Sequence, residues 1–162
     1  MKRFWLIPLI VCVDFISKWW VHHSITPMQW APAMFPYGGI GLFQGSVECS
    51  IVHVMNRGMA WGHFSGAFVF LLVARILTVG GLLIYMLKKP RSFPLMLIVG
   101  GAIGNIVDCF LYGHVIDMIH CVFWGYSYPV FNLADSAICV GAIGLAIQAL
   151  RRSKVSYETT SH

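Results

Sequence analysis

Four stretches of the chain, at about 4 to 23, 67 to 87, 93 to 113 and 130 to 150, each run for about 20 mostly apolar residues. That is the length a helix needs to cross the hydrocarbon core of a bilayer. Composition points the same way: 58% of the residues are hydrophobic and 10% charged, whereas an ordinary soluble domain is about 25% charged. The expectation is an all-α membrane protein with four transmembrane helices, built as a single domain over residues 1–162. No internal repeat, low-complexity tract or linker divides it.

The net charge of +5 follows this topology instead of forming a patch. Four crossings return both termini to one side. Lys2 and Arg3 precede the first window, Lys88, Lys89 and Arg91 fill the link between the second and third, and Arg151, Arg152 and Lys154 follow the fourth. Eight of the 11 basic residues thus share one face, which the positive-inside rule makes cytoplasmic. No basic patch with interleaved aromatics is left for a nucleic acid. The start "MKRFWLIPLIVCVDF" resembles a signal peptide, but Asp14 and Lys18 interrupt its apolar run and no small-x-small cleavage site follows. It is read as a retained helix.

The opposite face carries a long loop, about 24 to 66, and a shorter one, about 114 to 129. Within the first, "SIVHVMN" suggests one or two strands lying at the interface. Trp30, Trp61, Trp124, Tyr126 and Tyr128 recur in these loops, as aromatic anchors at headgroup level do. Cys12, Cys109 and Cys139 fall in helices as small buried hydrophobes. Cys49 and Cys121 fall in the outer loops, where they can pair in an oxidising compartment, although their spacing does not require it. The seven histidines show no HExxH spacing, so no metal site is expected.

Only six acidic residues occur, and four of them, Asp14, Asp108, Asp117 and Asp135, fall in or beside the apolar windows. An ionisable group there is costly and marks a functional candidate. Helix 1 runs outward and, at about 1.5 Å per residue, carries Asp14 about 15 Å along its length, with Lys18 one turn further out on the same face. Helix 3 also runs outward, with Asn105 and Asp108 one turn apart and Asp117 just past its end. Helix 4 runs inward and begins with Asn132 and Asp135. These polar groups converge on the outer half of the membrane.

Simple packing roles explain several of them. Asp14 with Lys18 suits a buried pair that holds helix 1 in register, and Asn105 with Asp108 suits interhelical hydrogen bonding. Gly100 and Gly104 form a small-xxx-small packing face, and Asn56, Arg57 and Gly58 suit a turn. Arg75, inside the second window, either snorkels or faces an aspartate. Asp117 and Asp135 fit a packing role least, because neither has a basic neighbour in sequence and a short loop joins the helix ends that carry them. Two carboxylates brought together share a proton. Such a pair suits peptide hydrolysis, the ionised member activating water and the protonated member polarising the carbonyl. A proton relay or ion site would use the same residues, so peptidase and transporter both stay open at this level.

Four blocks then carry a resemblance: "DFISK" (Asp14 to Lys18), "NRGMAWG" (Asn56 to Gly62), "GGAIGNIVDCFLYGHVIDMI" (Gly100 to Ile119) and "FNLADSAI" (Phe131 to Ile138). In order and spacing the chain resembles bacterial lipoprotein signal peptidase, or signal peptidase II. The resemblance implies an aspartic endopeptidase of the bacterial inner membrane, with four transmembrane helices, a small extracytoplasmic β-cradle and an interfacial loop. It implies removal of the signal peptide from diacylglyceryl-modified prolipoproteins, before the lipidated cysteine, by a monomer among membrane lipids with neither metal nor organic cofactor. The implied dyad is Asp117 and Asp135. Asp108 matches a supporting aspartate, Asn56, Gly58, Asn105 and Asn132 match positions lining the site or binding substrate, and Asp14 and Lys18 match a pair near it. Where the family usually has arginine after the "GNxxD" aspartate this chain has Cys109, so that either Arg75 or Arg57 substitutes or the site is built differently, and Trp61 stands where a small hydroxyl residue or phenylalanine is common. The alternatives of another class are a catalytically inactive lipoprotein-binding relative and a small proton-coupled carrier.

Overall fold

The structure, a computed structural model, describes residues 5–58, 68–88 and 92–160. Its four long helices are α1 (Leu6–Ser24), α2 (Phe68–Lys88), α3 (Phe93–Tyr112) and α4 (Leu133–Thr160). They match the four apolar windows, with α4 beginning three residues later than expected and continuing beyond residue 150. Three of them, α2, α3 and α4, are long and apolar enough to cross a membrane. Helix α1 has the length but carries Asp14 and Lys18 in its interior. Lys2, Arg3, Lys89, Arg91 and Trp61 lie outside the described residues.

Helix α3 is the centre of the bundle and packs against α1, α2 and α4. Small residues make the close approaches possible. A Cβ on Gly101 would lie 2.3 Å from the Ala134 carbonyl oxygen of α4, and one on Gly104 would lie 2.6 Å from Asp14 Oδ2 of α1. The small-xxx-small face therefore brings backbone to backbone and also clears space for a carboxylate. Outward-facing positions stay apolar even on α1, where Leu9, Val13 and Ile16 are exposed, as suits lipid contact.

The shorter of the two loops contains more regular structure than the sequence suggested. Strands β1 (Ile40–Phe43), β2 (Val47–Asn56), β3 (Val115–Phe123) and β4 (Tyr126–Ser127) form one antiparallel sheet in the order β1-β2-β3-β4. The long loop holds two, β1 and β2, within the one or two expected there, whereas the segment read as the loop 114 to 129 is mostly β3 and β4. Strand β3 hides its strand character because four of its first residues, Val115 to Met118, are buried without alternation. A strand covered on both faces gives no period-2 signal.

The sheet sits at the end of the bundle where α1 and α3 finish and α4 begins. Ile25 donates its N–H to the Val21 carbonyl as α1 ends, and Pro27 follows. Helix α3 ends at Gly113, whose φ of +70° is left-handed. That conformation is natural for glycine, and it turns the chain directly into β3. Phe131 and Ile119 exchange backbone hydrogen bonds of 3.1 and 2.7 Å, fixing the approach to α4 against β3. Val21, Ile25, Ile116 and Met118 form the apolar core under this junction.

Candidate active site

Asp117 reaches the site on β3 and Asp135 on the first turn of α4. Asp117 thus belongs to a strand, five residues after α3 ends, and not to a helix end. On β2, two residues between Ile51 and Val54 (Val52 and His53) face one, Met118, between Ile119 and Asp117. This one-residue bulge re-aims the end of β2, and Asn56 donates from Nδ2 to Asp117 Oδ2 at 2.9 Å. The Gly58 N–H in turn donates to Asn56 Oδ1 at 3.0 Å, fixing the amide so that its donor faces the carboxylate. The turn reading of "NRG" and the site reading therefore describe the same hydrogen bonds.

Asn132 is the N-cap of α4. Its Oδ1 accepts the Asp135 N–H at 2.8 Å, and its own N–H lies 3.4 Å from Asp135 Oδ2, a reciprocal cap of the capping-box kind. Its Nδ2 donates to Asp117 Oδ1 at 2.7 Å. Asn105, from α3, donates to Asp135 Oδ1 at 2.8 Å. Both aspartates are thus held by paired donors from different elements. Asp117 is buried while Asp135 is half-buried.

Behind these carboxylates lies a buried cation. Lys18 Nζ sits 2.6 Å from Asp14 Oδ2, 2.8 Å from Asp108 Oδ2 and 2.9 Å from Asn105 Oδ1. Three donors meet three acceptors, which satisfies the ammonium completely. Asp14 also accepts the Ala134 N–H at 2.8 Å, and Asp108 the Ile116 N–H at 3.2 Å. One cluster therefore ties α1, α3, β3 and the start of α4 together. The sequence pairing of Asp14 with Lys18 holds, but Asp108 is a second partner for the same lysine.

Burial pushes the Asp117 carboxyl up to about 7, and the nearby charge of Asp135 adds to the rise; the hydrogen bonds from Asn56 and Asn132 pull against it. His120, also buried, is held below its usual range by loss of solvation, and its Nε2 pairs with Ser127 Oγ at 2.9 Å.

Asp117 and Asp135 share a cavity of about 1160 Å³, lined by β2, β3, residues 127–131 and α4, with Arg75 from α2. That exceeds the roughly 300–1,000 Å³ of a drug-sized pocket. Arg75 of α2 lines it opposite Ser136, Cys139 and Val140 of α4. The Arg75 guanidinium donates to the Cys109 thiol at 3.6 Å and, among the described residues, forms no ion pair with an aspartate. Reading the sequence missed His120, Ser127 and Ser136, also in the cavity wall; no local pattern marks them.

The family model described as Signal peptidase (SPase) II matches residues 6–151. The chain is 34% identical to the "Lipoprotein signal peptidase" of Bacillus pumilus (strain SAFR-032), over 94% of this chain and 95% of that one. Two solved structures described as a bacterial membrane enzyme superpose with TM-scores of 0.73 and 0.70, each at 26% identity; they cover 91% and 90% of this chain, and 87% and 90% of their own. With a family match across almost the whole chain, a relative of equal length and a shared fold, the protein belongs to the signal peptidase II family of membrane peptidases that process lipoproteins.

Proposed function

We propose that this peptidase is an aspartic endopeptidase whose dyad is Asp117 and Asp135, and that it removes the signal peptide from diacylglyceryl-modified prolipoproteins by cutting before the lipidated cysteine. The observation that carries the reading is the shared cavity, in which one buried and one half-buried carboxylate face the same space. Asp135, at the positive end of α4 and receiving an Asn105 hydrogen bond, is the ionised member. Asp117 is the member that keeps a proton near neutrality.

Asp135 takes a proton from water as the water oxygen attacks the scissile carbonyl carbon. Asp117 donates to the carbonyl oxygen. Collapse of the tetrahedral species re-forms the carbonyl, returns a hydroxyl proton to Asp117 and breaks the C–N bond, while the proton held by Asp135 passes to the leaving amine, which is the new amino terminus of the lipidated cysteine. Asn56, Asn105 and Asn132 hold the carboxylates in place, while Asp14, Lys18 and Asp108 hold the elements that carry them. No metal or organic cofactor takes part.

Arg75 of α2 and Cys139 and Val140 of α4 line the cavity, and a substrate anchored by acyl chains would enter it sideways from the bilayer. We place all four helices across the bacterial inner membrane, both termini cytoplasmic and the sheet on the outer face, with a monomer as the working unit. The test is a gel-shift cleavage assay in detergent with a prolipoprotein substrate presented with and without its diacylglyceryl group. Cleavage of the lipidated form alone is expected. No cleavage of either, under conditions that support another signal peptidase II, would favour an inactive lipoprotein-binding relative.

A further inference from the structure

Cys49 on β2 and Cys121 on β3 are direct partners across the antiparallel ladder. Their sulfurs are 3.3 Å apart, in contact but unbonded, and both are free thiols, as are Cys12, Cys109 and Cys139. Facing residues of an antiparallel pair have Cα atoms about 4.5–5.5 Å apart, inside the roughly 4.4–6.8 Å span a disulfide accepts. Small side-chain rotations suffice to close the bond. The backbone stays where the sheet already holds it.

We infer that Cys49 and Cys121 form a dithiol site that a protein or small-molecule disulfide oxidises to an intramolecular Cys49–Cys121 bond. The inference stands on sheet geometry and is independent of the peptidase reading. One protein thiolate attacks a sulfur of the oxidant, expelling one oxidant thiol and leaving a mixed disulfide. The second protein thiolate then attacks the protein sulfur of that mixed disulfide and expels the other oxidant thiol. Two S–H bonds are lost from the protein, one S–S bond forms, and two electrons and two protons leave with the reduced oxidant.

Ordinary core packing also places cysteines side by side, so the distinction lies in consequence. The two residues are 72 apart in sequence, and the closed loop contains α2 and α3. A bond there restricts the unfolded chain over that whole loop and clamps β2, which carries Asn56, to β3, which carries Asp117. Burial, with Cys49 alongside, pushes the Cys121 thiol up to about 11.

The test takes the full-length protein purified in detergent under reducing conditions, moves it into a buffer containing oxidised glutathione, alkylates it and maps its peptides by mass. The expected product is a Cys49–Cys121 linked peptide pair lacking two hydrogens, together with an unfolding temperature several degrees above that of the reduced protein. In Cys49→Ser the oxidant-dependent rise in unfolding temperature should vanish. Recovery of both cysteines alkylated, or each carrying glutathione, after equilibration of the folded wild type would overturn the inference.

Discussion

Asn132 holds Asp117 through its side chain and Asp135 through its backbone: Nδ2 donates to Asp117 Oδ1 at 2.7 Å, and the main-chain N–H lies 3.4 Å from Asp135 Oδ2. One residue therefore sets the relation between a strand carboxylate and a helix carboxylate. Its own side chain is fixed by capping α4, so the helix start and the site geometry depend on the same amide.

The lysine behind the site should matter more than its distance from the chemistry suggests. Lys18→Met strands Asp14 and Asp108, both buried, and should destabilise the protein by about 3–5 kcal/mol. Adding Asp14→Asn and Asp108→Asn to that variant should recover much of the loss, as read from thermal unfolding in detergent. If Lys18→Met alone melts with the wild type, the triad is not holding the helices.

The pH profile of cleavage should carry an alkaline limb near pH 7, because Asp117 must be protonated and its carboxyl is raised to about 7. Above that limb the rate should fall about tenfold per pH unit. The Asn56 hydrogen bond favours the charged form of Asp117, so Asn56→Leu should move the limb upward by about one unit. A downward movement would contradict the assignment.

Stability should respond to the same carboxyl. Asp117 titrates at about 7 in the folded protein against 3.8 for the free side chain, so the folded state binds the extra proton. Its contribution is fully present below about pH 3.8 and is lost as pH rises through about 7. Asp117→Asn removes that loss and should raise the unfolding temperature at pH 8, where the ionised carboxylate costs up to about 4 kcal/mol. At pH 4 the gain should largely disappear.

Cys109 stands where the resemblance implies an arginine on α3, and Arg75 of α2 lies against it. Since the Arg75 guanidinium already reaches that thiol, Arg75→Ala should lower kcat/KM about tenfold, mainly through KM. Cys109→Arg in the same background should restore part of it by supplying the guanidinium from α3. A double variant no better than Arg75→Ala would show that the two positions are not equivalent.

Much of the bundle and the polar residues of the site could be read in the sequence because a carboxylate or amide inside an apolar run stands out. Asp14 and Lys18 advertise each other by their one-turn spacing. Asp108 as a second partner of Lys18, and Cys109 as the contact of Arg75, carry no such mark because those pairings join residues far apart in the chain. Strand β3 was unreadable for a different reason. "VIDMIHCVF" is buried on both faces over its first half, and it follows α3 after a single glycine turn, so it looks like the tail of a helix followed by a loop. That is why Asp117 was expected at a helix end. The topology nevertheless brings it to Asp135, through the backbone pairing of Ile119 with Phe131.

The measurement that bears most directly on the account is cleavage of a diacylglyceryl-modified prolipoprotein by the wild type, Asp117→Asn and Asp135→Asn, each checked for folding by its unfolding transition. The account predicts that each single variant stays folded and loses activity by at least about 10³-fold. Turnover within tenfold of the wild type by either folded variant would contradict the dyad and direct attention to Asp108.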